Sequence, residues 1–398
     1  MTATLIIIIC IIFLIAYFFD LTSSRTRIPA VILLLLLGWG IKQVTVFFQI
    51  EIPNLTSILP VLGTIGLILI VLEGSLELEL NKKKLPVIGK SLILALLPMF
   101  ILSLILALLF MHFGQYSFRH SLINAIPLCI ISSAIAIPSV KGLSKSNREF
   151  VIYESSLSDI FGIIIFNFIA INGIINTQSY LHFALQILII IIVSFVATIG
   201  LSFLLSRSKH HIKYVPIILF VILIYSVSKH YHLPGLVFVL LFGLFIGNID
   251  ELKQLNWLKI FDTDNLNSEV QNFKNIVIEG TFLIRTLFFI LFGYLIETNE
   301  ILNTETLVWS TGIVAGILIV RFIFLKFTKL PITPLLYVAP RGLITILLFL
   351  SILPSQSISF VNKSLIIQVI VLTALVMMTG ILKKPQKTTI VSENEIQE

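Results

Sequence analysis

The sequence predicts an all-α polytopic membrane protein of about 13 transmembrane helices, and three observations carry that prediction. The first is composition: 57% of the 398 residues are hydrophobic, 12% are charged, and mean hydropathy is +1.06. A soluble domain of this length would carry about twice the charge. The second is that apolar residues come in runs able to cross a hydrocarbon core about 30 Å thick. The third is the placement of cations. With the runs taken as spans, 20 of the 27 Lys and Arg fall in odd-numbered loops and the C-terminus, and 4 in even-numbered loops. That bias puts the N-terminus outside and the C-terminus in the cytoplasm of a bacterial-type plasma membrane.

The apolar segments run 4–19, 28–48, 57–76, 86–111, 120–140, 149–173, 181–205, 213–228, 233–248, 276–296, 306–325, 331–353 and 362–382. The first lacks the basic start and small-residue cleavage site of a signal peptide, so it reads as a span. The fifth holds Ile130-Ile131-Ser132-Ser133 and then Ile137-Pro138, so a break at Pro138 is expected. Before the sixth, Ser146-x-x-Glu149 has the form of a capping box and sets the helix start near Asn147. The eighth and ninth are short and split only by Lys229-His230-Tyr231-His232. Residues 250–275 form the longest polar segment, and Leu255, Trp257, Leu258 and Phe261 give it the look of an interfacial cytoplasmic linker. The twelfth carries Pro331, Pro334 and Pro340, the last followed by Arg341-Gly342, so it is expected to be broken as well. Residues 1–384 then form one transmembrane domain, and 385–398 a short cytoplasmic tail.

Several functions are excluded. No glycine-rich phosphate loop occurs, which removes ATP-driven pumping, and no cofactor is implied. No basic face stands apart from the membrane loops, so no nucleic acid partner is expected; the partner is the lipid membrane. Cys10 and Cys129 lie alone in apolar runs, and the seven histidines lack ligand spacing within a span. No resident metal is expected.

Charges inside spans are costly and default to a functional reading. Asp159 lies about 13 Å along its helix from Phe150, near mid-membrane. Beside Ser155 and Ser158 it can accept a proton or a dehydrated cation, and hardly both. Glu154 points about 140° away around the same helix and matches Arg321 in depth, so these two form a candidate structural ion pair. Arg341 and Arg285 are accessory charges that neutralise half-helix carbonyl ends or repel a second cation, and Glu73 is a candidate partner for one of them. The fifth and twelfth spans run in opposite directions, and paired interruptions in opposed halves point to an inverted-repeat secondary transporter.

These residues resemble the monovalent cation/proton antiporters. Glu154-Ser-Ser-Leu-Ser158-Asp159 is similar to the family's E-S-x-x-N-D pattern, Val320-Arg321-Phe322 to its arginine helix, and Pro340-Arg341-Gly342-Leu343 to its R-G segment. Arg27-Ile28-Pro29, Leu72-Glu73-Gly74-Ser75-Leu76 and Arg285-Thr286-Leu287-Phe288-Phe289 resemble further family stretches. The resemblance implies two inverted six-helix repeats (1–175 and 213–384) around a linker helix (181–205), and usually a homodimer. It implies exchange of Na⁺ or K⁺ for H⁺. Two departures stand out: Ile137-Pro138 where many members have Asp-Pro, and Ser158 where the pattern has Asn. Ser132, Ser133 and carbonyls near Ile135 and Ala136 would then complete the ion shell. With one carboxylate free, exchange is expected to be electroneutral, one for one. A proton-coupled solute transporter of related fold, a channel and an intramembrane enzyme are the alternatives.

Overall fold

The computed structural model describes residues 2–26, 28–50, 55–79, 84–173, 176–207, 212–249 and 263–382. Among them every regular element is a helix. In chain order these are α1 (Thr2–Thr26), α2 (Ala30–Phe47), α3 (Leu59–Glu77), α4 (Leu85–Gly114), α5 (Phe118–Cys129) and α6 (Ser133–Ser139). Then come α7 (Lys145–Ile171), α8 (Thr177–Arg207), α9 (Tyr214–His230), α10 (Gly235–Gly247) and α11 (Thr263–Tyr294). The chain closes with α12 (Thr298–Ile301), α13 (Thr304–Phe327), α14 (Ile332–Leu335), α15 (Leu343–Ser351) and α16 (Lys363–Leu382). Among the described residues ten segments are long and apolar enough to cross a membrane, one of them α5 and α6 taken together (Phe118–Ser139), and α9 and α10 are shorter apolar helices.

The helices sort into two groups by what they touch. In one, α11 packs along α2 and α3, and α10 along α3 and α8. In the other, α4 packs on α5 and α7, and α13 on α16 and α4. Helix α3 reaches across to α6, α7 and α15. The α2–α11 crossing is close because both helices offer glycine. A Cβ on Gly38 would collide with the Ile290 carbonyl, and one on Gly293 with the Leu35 carbonyl. At the rim, α1 and α8 leave Ile6, Phe18, Leu188 and Phe195 exposed, as lipid-facing helices do.

Three expectations need correction. Helix α7 starts at Lys145 with Ser144 at its N-cap and no side-chain cap bond, so Ser146 caps nothing; Glu149 instead accepts from Lys84 at 3.0 Å. Helix α11 begins at Thr263, so the second half of the polar 250–275 segment is helical. Its Glu269 is held by Lys213 and the Tyr214 hydroxyl, both at 2.6 Å, which steadies a polar turn beyond the apolar run. The residues read as an interfacial helix, Leu255 to Phe261, lie outside the described residues, as does the 385–398 tail. Lastly, Pro138 lies inside α6, and the fifth span breaks at Ile130–Ser132 instead.

Candidate functional site

The site begins with two interrupted helices that cross. Helix α5 contains Pro127 and stops at Cys129; Ile130 and Ser132 are extended, with ψ of 131° and 114°. Between α14 and α15 the chain is again non-helical over 336–342, where Pro340 offers no amide and disfavours helix at Ala339. The two stretches meet backbone to backbone, the Ser132 amide donating to the Pro340 carbonyl at 2.9 Å. Gly342 allows the approach, since a Cβ there would press on Ser132 Oγ and the Ile135 side chain.

Unwinding at membrane depth frees peptide groups that must find partners within the protein. Ser158 Oγ accepts from the Ile131 amide at 3.0 Å. Arg341 Nε donates to the Leu128 carbonyl at 2.8 Å and its Nη1 to the Ala339 carbonyl at 2.9 Å. The Arg341 amide donates to Thr373 Oγ1 at 3.0 Å. Arg321 Nε donates to the Leu335 carbonyl at 2.7 Å. Two arginines therefore sit on the carbonyl ends of broken helices, where the helix dipole favours a cation.

Asp159 projects into this crossing from α7 and is 1% exposed. One carboxylate oxygen, Oδ2, accepts from the Ser133 hydroxyl and from the Ser133 amide, the latter at 3.2 Å. The other, Oδ1, has no hydrogen-bond partner among the described residues, and neither has the buried Ser132 hydroxyl. Buried polar atoms left unmatched are expensive, and of those among the described residues the Asp159 oxygen belongs to a group that can carry a full charge.

Glu154 is consumed elsewhere. Its two oxygens accept from Arg321 Nη1 at 2.6 Å and Nη2 at 2.8 Å, a bidentate pair with both side chains buried.

The remaining residues singled out in the sequence fall outside this cluster. The Ser155 hydroxyl bonds back to the Val151 carbonyl of its own helix at 2.7 Å, leaving no bond to Asp159. Ser158 serves the Ile131 amide. Arg285 pairs with Asp20 of α1 at 3.6 Å, where Glu73 had been the candidate. Glu73 stays half-buried on α3, beside the Thr281 hydroxyl and within reach of the Arg285 charge. The Ile135 carbonyl accepts from Ser139 Oγ at 2.7 Å. Ile137-Pro138 lies more than a turn past the break, so the residues facing Asp159 are serines. Asp20 and Thr373 went unnoticed in the sequence. Asp20 did carry a signal, as the lone acid closing the first apolar run.

What the arrangement can hold is small and positive. One open carboxylate oxygen, a hydroxyl and peptide groups are a donor set that suits a proton or a monovalent cation stripped of water.

The family model described as sodium/hydrogen exchanger, transmembrane, matches residues 8–385. The fold is similar to the sodium proton antiporter MjNhaP1 from Methanocaldococcus jannaschii at pH 8, with a TM-score of 0.66 and 18% identity over 95% of this chain and 96% of that one. A second structure of that antiporter, an electron-microscopy map, gives 0.69 and 16% over 96% and 95%. No curated protein matches the chain by sequence.

Proposed function

The chain belongs to the sodium/hydrogen exchanger family, and on that premise we propose that Asp159 alone carries the exchanged ion, one Na⁺ or K⁺ against one proton, by alternating access. That it is a multi-pass cation/proton antiporter and not an enzyme follows from the family; the residues and the stoichiometry are our reading. The observation that carries it is that Oδ1 of buried Asp159 has no hydrogen-bond partner among the described residues, as the Ser132 hydroxyl at the α5–α6 break also has none, with Glu154 already neutralised by Arg321. A single carboxylate can hold a proton or a cation but gains nothing from both. Ser133 and Ser132 complete the shell, while Ser158 and Arg341 hold the unwound backbone open around it.

Alternating access is supported by unequal ends. At the end holding Lys42, Arg119, Lys229 and Lys363, a cavity of about 220 Å³ runs between α3, α7, α9, α10 and α15 as deep as Ile163, one turn from Asp159. The lysine-rich end is laced by ion pairs. Asp20 meets Lys141 at 3.9 Å and Arg285 at 3.6 Å, and Glu77 meets Arg148 at 4.0 Å and Lys274 at 3.9 Å. Each acid joins the segment around the start of α7 to α11. We assign the lysine-rich end to the cytoplasm and the cavity to the outside. The two inverted repeats are centred on the α5–α6 and α14–α15 breaks, and the exposed apolar faces of α1 and α8 are surfaces available to a homodimer.

The test is flux in proteoliposomes. With voltage clamped by valinomycin under Na⁺ or Li⁺, exchange followed by a pH dye should ignore imposed voltage. A two-for-one cycle would move a net charge worth ~2.3 kcal/mol per 100 mV and would accelerate visibly. Asp159→Asn should abolish exchange while the protein still folds, because Asn keeps the size and hydrogen bonding but cannot cycle a proton. Exchange that survives this substitution, or that follows voltage, overturns the single-carboxylate cycle.

A further inference from the structure

The cavity at the lysine-poor end, which reaches to within a helical turn of Asp159, carries a charge that a cation pathway would not be expected to tolerate. Among the residues lining the 220 Å³ cavity one is ionised, Lys229, in the last turn of α9. It is exposed, and among the described residues it meets no carboxylate within ion-pair distance. The other polar groups on the lining, such as Thr64, Asn167 and Tyr225, are neutral. A smaller adjoining cavity of about 60 Å³ shares Ile164, Asn167 and Pro234 with it and adds His182 and His232. No acid lines either cavity. A charge at the mouth of a cleft with low-dielectric walls acts along its whole depth, because field lines are focused there.

We propose that Lys229 sets the working affinity of the exchanger on this side, raising the KM for the cation and lowering the pH at which protons compete, both by one factor. The proposal rests on Asp159 being the carrier reached through this cavity. Its physics is simple. The ammonium creates a positive potential in the route, and every monovalent cation pays the same electrostatic work to enter. Na⁺, K⁺ and H⁺ are therefore diluted locally by one Boltzmann factor. Since both exchanged ions shift together, the equilibrium of exchange is untouched and the opposite side keeps its affinities.

A local rearrangement would not produce that equality, and this makes the idea testable. In oriented proteoliposomes, the cation KM would be measured from the Lys229 side at alkaline pH, where protons do not compete, for wild type, Lys229→Arg, Lys229→Gln and Lys229→Glu. One unit charge acting through a partly screened, low-dielectric cleft is worth on the order of a two- to fivefold change in KM. Lys229→Gln should lower KM by that factor, Lys229→Glu by about its square, and Lys229→Arg not at all. With the cation held well below KM in every variant, the midpoint of proton inhibition from that side should rise by the logarithm of the same factor, about 0.3–0.7 pH units. His182, His230 and His232 are common to all four proteins and cancel in the comparison. Raising ionic strength with choline chloride should close the gaps between variants. An unchanged KM in Lys229→Glu, a KM change without the matching pH shift, or a change shared by Lys229→Arg overturns the role of Lys229. Survival of exchange in Asp159→Asn would instead overturn the carrier assignment, so the two failures read differently.

Discussion

Two acids on one helix, five residues apart, have been given opposite fates by their neighbours. Glu154 faces α13 and is matched oxygen by nitrogen to Arg321; Asp159 faces the crossing and is matched on one oxygen only. A buried pair broken on one side leaves a lone charge, so Glu154→Gln or Arg321→Gln should each destabilise the protein by roughly 3–5 kcal/mol. Replacing both by apolar residues of similar volume should recover much of that loss, because nothing charged is then left buried. Thermal unfolding in detergent of the two single variants and the double variant measures the coupling. A double variant as unstable as the two singles summed would mean that the contact contributes nothing.

Helices in this protein are held apart or drawn together by what stands at their crossings. The α2–α11 contact needs two glycines because each helix lays its backbone on the other's carbonyl. Gly38→Ala and Gly293→Ala should therefore force the helices to separate, at a cost of at least the 1–3 kcal/mol typical of overpacking. Gly40, two residues from Gly38, has nothing within 4 Å of where a Cβ would stand. Gly40→Ala should be neutral, or stabilise by up to about 1 kcal/mol through helix propensity. Equal loss of melting temperature at Gly38 and Gly40 would show that the crossing is looser than described. The broken helices follow the same logic with polar groups: each interruption survives because Arg341, Arg321, Ser158 and Thr373 take up the peptide groups that it frees.

At the scale of the molecule, the two ends differ in charge and in openness, and orientation decides which faces the cell. We propose from the cation bias that the lysine-rich end faces the cytoplasm. In a Cys10→Ser background, Lys145→Cys should react with an impermeant thiol reagent from the cytoplasmic side and Ser357→Cys from the outside, both positions being exposed. Labelling of the Lys145→Cys protein from outside would reverse the assignment. The ion pairs at that end join Asp20 and Glu77 to cations around the start of α7 and on α11. Beside them, the Lys84 ammonium donates to Glu79 and holds its carboxyl below the ordinary range, while partial burial works against this. A lowered carboxylate value means that this stabilisation is present above the unfolded value and is lost as pH falls through the folded one. On the acid side, the Glu79–Lys84 pair is thus lost only once the pH falls through the lowered Glu79 value.

Read alone, the chain settles what is local. Runs of apolar residues predict helices wherever a bilayer leaves no other way to satisfy the backbone, and lysine counts order the loops. A carboxylate in mid-span is visible because it is rare there, and so is the need of Glu154 for a cation at its own depth. What the chain leaves open is geometry between elements. Pro138 looked like the breaking point, but Pro is tolerated within α6, and the helix parts at Ile130–Ser132 because Pro340, Ser158 and Arg341 receive the freed groups there. Ser155 stood one turn from Asp159 in the helical register, yet its rotamer satisfies its own backbone. Arg285 had two acids within plausible depth, and the packing of α1 on α2 brought Asp20 to it instead of Glu73. Partner choice depends on where helices cross, which is set by contacts far apart in sequence, and so it is decided only when the bundle closes.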